Sequence, residues 1–184
     1  IRDSNNDACC QKNERKLIYF AKVMIMKKSV FLTIVLISTA LSGCVSPDEE
    51  LEPFPTFDYN DEQNNNHQSS MYVGEPFVAY FSATWCSHCK PALGALDDTV
   101  PSGQVLIFNK DPGDDNMQEW KDNMESELER TLAHPFIHGP DLAESLEVVG
   151  IPTMFFVNSE GDIVHTMVGI KNKTTVENFW NDLS

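Results

Sequence analysis

Two cysteines separated by two residues stand in Trp85-Cys86-Ser87-His88-Cys89. Thiols at this spacing either close into a disulfide that can reopen or supply half of a metal site. The flanking residues favour the redox role. Phe77-Val-Ala-Tyr-Phe81 is a short apolar run suited to a buried strand, and Lys90-Pro-Ala-Leu-Gly-Ala-Leu96 reads as a helix. The unpaired amides and dipole at a helix N-terminus favour a thiolate on the first cysteine. Cys86, exposed at the turn, is therefore expected to attack, and Cys89, one turn into the helix, to resolve. A zinc site would need two more ligands, yet no second CxxC exists. His134 and His138 lie around Pro135, a poor setting for a ligand-bearing helix. Neither a metal nor another cofactor is expected.

The remaining elements must hold this turn in place. Val105-Leu-Ile-Phe108 reads as a second buried strand. Asp114 and Asp115 are candidate caps for a helix in which Met117, Trp120, Met124, Leu128 and Leu132 recur at helical spacing and face the core. Asp141–Glu147 is a short helix leading to Val148-Val-Gly-Ile-Pro152. Thr153–Val157 and Ile163–Val168 are strands joined by Asn158-Ser-Glu-Gly161. A last helix, capped by Thr174 or Thr175, aligns Val176, Phe179, Trp180 and Leu183. The expected order is β-α-β-α-(short α)-β-β-α, without internal repeats.

Three stretches together resemble the thioredoxin superfamily. They are Gly74–Lys90 around the dithiol, Asp141–Thr153 ending in Ile151-Pro152-Thr153, and Phe155–Val164 with Gly169. The resemblance covers roughly residues 71–184, and the helix at 115–132 is most similar to the membrane-tethered TlpA-like and ResA-like branch. It implies an α/β, thioredoxin-like fold, with a central mixed β-sheet flanked by helices. It also implies a thiol–disulfide oxidoreductase acting on protein substrates that carry cysteines or disulfides. In that family Pro152 would be a cis-proline against the dithiol, Ile151 would offer backbone hydrogen bonds to a substrate strand, and Trp85 would be the flat aromatic beside the nucleophile.

Three departures bear on the chemistry. Tyr80 occupies the position of thioredoxin's buried Asp, so a carboxylate partner for Cys89 is not evident. Gly94 replaces a proline that many relatives carry, with Pro91 instead in the first turn, where it is tolerated. Ser87-His88 replaces Gly-Pro between the cysteines. An imidazolium at His88 would stabilise the Cys86 thiolate and make the disulfide more oxidising. The architecture thus points to a reductase and the dipeptide to a DsbA-like oxidase or isomerase. Reduction is the preferred direction because the architecture spans more residues. A copper-handling module using Cys86, Cys89 and one of His134, His138 or His165 is the non-enzymatic alternative, and a redox-inert binding domain is a third. Those three histidines, and the sequon at Asn172, are otherwise read as surface residues.

Met26-Lys27-Lys28 followed by the apolar run to Leu41 has the proportions of a secretory signal peptide, spanning 26–43. Its end, Leu41-Ser42-Gly43-Cys44, resembles the lipobox of prokaryotic lipoproteins, which implies a lipid on Cys44. An uncleaved signal anchor is the alternative. Either places the domain outside the cytoplasm at a membrane, where a membrane or extracytoplasmic redox partner would recycle the dithiol. Residues 1–25 are read as an upstream or non-native extension, with Cys9 and Cys10 given no role. Residues 44–70, acidic and punctuated by proline, are expected to form a flexible tether. From residue 44 onward six Lys/Arg face 25 Asp/Glu, a balance near −19 that repels phosphate backbones and excludes nucleic acid as a partner.

Overall fold

The computed structural model describes residues 51–169 and 172–183. The expected signal peptide, Cys44, Cys9 and Cys10 lie outside the described residues. Among those described, no helix is long and apolar enough to cross a membrane.

Six strands form one mixed sheet in the order β1-β8-β7-β4-β5-β6. They are β1 (Glu52–Pro53), β4 (Phe77–Ser82), β5 (Val105–Asn109), β6 (Phe136–His138), β7 (Thr153–Val157) and β8 (Asp162–Val168). β4, β5 and β6 run parallel, while β7 runs antiparallel to β4 and β8 to β7. Parallel strands need long crossovers, supplied here by helices α1 (Cys89–Asp97) and α2 (Met117–Leu128). Helix α3 (Pro140–Ser145) follows β6, and α4 (Lys173–Asn181) closes the domain.

Every residue of β4, β5 and β7 is buried, which explains why these strands read as continuous apolar runs and not as alternating ones. Their side chains still alternate between two cores. Val78, Tyr80, Ile107 and Phe156 pack with Leu93 and Leu96 of α1, Trp120 and Met124 of α2, and Val176 of α4. Phe77, Ala79, Phe81, Phe108 and Phe155 pack on the other side with Leu142 and Ala143 of α3.

The second core also contains Phe57, with Phe54, Tyr59 and Tyr72 packed against it. This corrects the tether expected over 44–70: from residue 51 the chain is folded onto the domain. Phe54 and Phe57 meet the Phe77 ring edge-on, and Phe57 and Tyr59 meet Phe108 likewise. Burying each such ring is worth roughly 1.5–3 kcal/mol, against an ordering cost of about 1–2 kcal/mol per residue. Several rings therefore act together with the strand pairing to hold the segment. The strap begins as β1, paired to β8, and continues as the hairpin of β2 (Asp58–Asn60) and β3 (Asn66–Gln68). Within the hairpin turn Asp61 Oδ1 accepts the amides of Gln63 and Asn65, and Oδ2 accepts from Asn65 Nδ2. Asn64 takes the left-handed conformation there, φ 66°, which asparagine tolerates. Burial raises the Asp61 carboxyl, but these bonds and His67 outweigh it and hold the group below its ordinary range. A single bridge from Asp61 to Ile137 places the strap beside β6, so it reaches both edges of the sheet.

Loop chemistry accounts for the other differences. The α2 cap is Asn116, which accepts from the Glu119 amide, and not Asp114 or Asp115. α2 ends at Leu128, so Leu132 is buried from the following loop and not from the helix. Asn172 caps α4 by accepting from the Thr175 amide, replacing the threonine caps and giving the expected surface asparagine a structural part.

Candidate active site

Strand β4 ends at Ser82, and the chain turns through Thr84–His88 into α1. Cys86 and Cys89 face one another across this turn in a disulfide, with Cα atoms 5.4 Å apart. Cys89 is the first residue of α1 and fully buried, so it lies at the helix start and not a turn inside it. Cys86 is only 7% exposed, correcting the open nucleophile expected there, while Ser87 and His88 beside it are exposed. His88 takes the N-cap position of α1 without a side-chain cap bond. Helix α1 is fastened to α2 by the ion pair of Lys90 with Glu127.

Tyr80 answers what replaces the carboxylate beneath the dithiol. Its hydroxyl donates to the Cys89 carbonyl at 2.6 Å, tying the first turn of α1 to β4. Burial pushes the phenol well above its usual range, so the group stays neutral under Cys89. The Ser82 hydroxyl, buried on the same face, eases that shift, yet it stands outside hydrogen-bond geometry with any partner.

Trp85 is 66% exposed but held: its indole N–H donates to Asp111 Oδ2 at 2.9 Å. Asp111 is itself placed by the loop after β5. Its amide donates to Asn109 Oδ1, its Oδ1 accepts from the Gly113 amide, and its carbonyl contacts His138 Nε2. The Gly113 amide and the Trp85 indole hold the Asp111 carboxyl below the usual carboxylate range. Asp111 was not legible in the sequence, because nothing local links positions 85 and 111.

The Ile151–Pro152 peptide is cis. Thr153 pairs with Phe81, so this bond enters the sheet at the edge from which β4 leaves for the dithiol. The Pro152 carbonyl accepts from the Gly169 amide, and Thr153 Oγ1 donates to the Gly150 carbonyl. Gly169 has φ +82°, a conformation that favours glycine. The fold therefore brings Trp85–Cys89, Ile151–Pro152 and Gly169 to one edge.

The histidines proposed for copper are dispersed. His134 is buried, not a surface residue as expected, with Asp97 Oδ1 3.2 Å from Nε2 but outside hydrogen-bond geometry. His138 is half-buried and holds Asp111, while His165 stacks on Phe179 with centroids 4.2 Å apart. Among the described residues no three His, Cys, Asp or Glu side chains gather as a ligand set.

Comparison with known proteins agrees with this geometry. The profile of the AhpC/TSA family matches residues 51–166, including the strap. The thiol-disulfide oxidoreductase ResA of Bacillus cereus is 20% identical over 171 residues, covering 84% of this chain and 96% of its own. The exposed lipoprotein thioredoxin Etrx1 of Streptococcus pneumoniae superposes with a TM-score of 0.58 at 24% identity, over 70% of this chain and 100% of that one. StoA of Bacillus subtilis gives 0.53 at 20% identity, over 68% and 96%. The likeness to these structures establishes a thioredoxin-like fold.

Proposed function

From the premise that the chain belongs to the AhpC/TSA family and is a ResA-like thiol–disulfide oxidoreductase, we propose that Cys86 and Cys89 are its working dithiol and that it reduces protein disulfides outside the cytoplasm. The observation that carries the assignment is the pairing of these two sulfurs at the start of α1, on the edge that also receives cis-Pro152.

The Cys86 thiolate attacks one sulfur of a substrate disulfide. That S–S bond breaks, a mixed disulfide forms, and the first substrate thiolate leaves and takes up a proton. Cys89 then loses its proton and attacks the Cys86 sulfur. The second substrate thiolate departs, and two electrons have passed from protein to substrate. An external dithiol carries the electrons that reopen Cys86–Cys89. Tyr80 holds the resolving residue in place, and its neutral hydroxyl leaves Cys89 without a buried carboxylate base, so the proton passes to solvent. Backbone groups of Ile151 pair with the substrate strand and Trp85 flanks the attacked sulfur. His88, exposed beside the pair, tunes the thiolate, and Ser87 completes the turn. The reductive direction rests on the extent of the ResA-like architecture. The location rests on the signal-like run and on Leu41-Ser-Gly-Cys44, with Cys44 as lipid attachment point.

Cys86→Ser is expected to abolish exchange, and Cys89→Ser to accumulate a mixed disulfide detectable by mass spectrometry. Equilibration with glutathione should place the pair near the thioredoxin potential of about −270 mV. A value near about −120 mV would overturn the reductive direction and favour an oxidase. Mass spectrometry of the membrane-bound protein should find a lipid on Cys44 that Cys44→Ser loses, and an unmodified Cys44 thiol would remove the lipid anchor from this account.

A further inference from the structure

Beside the dithiol edge lies a pocket of about 540 Å³ that disulfide exchange alone does not require. Its walls come from two segments already tied to the site. Pro112 belongs to the loop that presents Asp111 to Trp85, and Val149 lies two residues before Ile151. Ala143 of α3 contributes further apolar surface between them. The volume falls within the range of roughly 300–1,000 Å³ typical of binding pockets.

Two features say what would occupy it. Val149 is 97% exposed, and Val168 of β8, 56% exposed, extends this apolar surface. A methyl group built on Gly150 would lie 3.5 Å from Val168 Cγ1, so Val168 lies against the Val149–Gly150 turn. An apolar band of this kind marks a contact surface. The second feature is charge. Asp141, Glu144 and Glu147 line the same pocket, and none has an ion-pair partner among the described residues. Lys110 is the single cation lining the pocket among the described residues. Three uncommitted carboxylates around an apolar wall complement a cationic segment that also carries an apolar side chain.

We propose that this pocket is a specificity site for the substrate polypeptide, taking an apolar residue against Val149 and Ala143 with Lys or Arg opposite Glu144 and Glu147. The proposal rests on the dithiol reading and names the substrate class: cysteine-bearing segments that are basic and apolar near the reacting sulfur. An acidic domain would gather such segments by long-range attraction as well, an effect that salt screens over about 8–10 Å.

The test uses the full chain, reduced beforehand, and peptides whose single cysteine is disulfide-linked to 2-mercaptoethanol. One peptide carries Lys and Leu beside the cysteine, a second Glu and Leu, a third Lys and Ser. Each second-order rate constant, read in a single turnover as Cys86–Cys89 closes, is divided by that for hydroxyethyl disulfide, which reads the dithiol alone. The Lys–Leu peptide is expected to exceed the Glu–Leu peptide by about tenfold at low salt, shrinking in 0.5 M NaCl, as electrostatic steering requires. The Lys–Ser peptide should fall below Lys–Leu, and Val149→Ser should erase that second difference. Glu144→Lys with Glu147→Lys should reverse the charge preference. Equal normalised rates for the three peptides, or a preference that survives the double substitution, would overturn the pocket assignment. Loss of reaction with hydroxyethyl disulfide in the unsubstituted protein would instead overturn the redox reading, and the pocket's role with it.

Discussion

Glu62 and Lys121, 2% and 13% exposed at their side chains, meet at 2.5 Å where β6 begins. Asp141, Glu144 and Glu147 line the pocket between α3 and the loop after β5 and form no ion pair among the described residues. The first pair is committed to the fold. Glu62 Oε2 also accepts the Phe136 amide, while Lys121 lies 5.8 Å from the Phe136 ring centroid and 3.4 Å from the His134 carbonyl. A buried charge must be paired and hydrogen-bonded or its desolvation goes uncompensated, and here the pairing locks the strap to α2 and β6. The pocket carboxylates are exposed and keep their water, and Glu144 and Glu147 form no ion pair among the described residues. Charges that build the domain, Glu62 with Lys121, thus differ from carboxylates that stay available to a partner, although Glu62 belongs to the same acidic chain as the latter.

The largest effect should come from breaking the committed end. Glu62→Ala leaves Lys121 buried without its partner and should lower stability by about 3–5 kcal/mol, read as a shift in the urea midpoint. Replacing both residues together, Glu62→Leu with Lys121→Met, should recover most of that loss. A single-variant loss below about 1 kcal/mol would show that the strap is held by its aromatic rings alone.

The same end should respond to acid through His134. Burial holds this imidazole below its ordinary value of 6.5, against the pull of Asp97. The folded state favours the neutral ring, so the unfolded chain binds more protons once the pH falls toward 6.5. The stability His134 allows is therefore complete above that value and is lost as the pH falls through it toward the lower folded value. His134→Leu should flatten the difference in urea midpoint between pH 7.5 and 5.5. An unchanged slope would mean that other groups carry the acid response.

Smaller effects belong to the dithiol end. Tyr80→Phe removes one buried hydrogen bond and should lower stability by about 1 kcal/mol while shifting the potential of the Cys86–Cys89 pair, because the first turn of α1 loses its tie to β4. A stability loss with an unmoved potential would reduce Tyr80 to packing. Least of all, Glu144→Gln with Glu147→Gln should change stability by less than about 0.5 kcal/mol. A larger loss would show that these carboxylates hold the fold, and would erase the contrast between the two ends.

Local order along the chain was sufficient for much of this molecule. The strand–CxxC–helix succession, the Ile-Pro-Thr entry to β7 and the Gly161 hairpin each depend on neighbours in sequence, so residue type and spacing determined them. Thr153–Val157 lies where its apolar run predicts, and the dithiol pair was legible because both partners lie within four residues. The strap was not legible. Its apolar side chains are few, with Phe54, Phe57 and Tyr59 as the rings among acidic and amide residues, and composition alone describes such a stretch as unfolded. Only the second face of the sheet, built from Phe77, Phe108 and Phe155, supplies the surface that makes burying those rings favourable. Asp111 beneath Trp85, Glu62 against Lys121 and His134 beside Asp97 likewise join positions 26 to 59 residues apart. The sequence by itself determined that Cys86 and Cys89 can close a disulfide and on which turn they sit. Tertiary structure alone decided which of the many charges are buried in pairs and which remain at the edge for a substrate, because desolvation and pairing depend on what the chain brings together across the sheet.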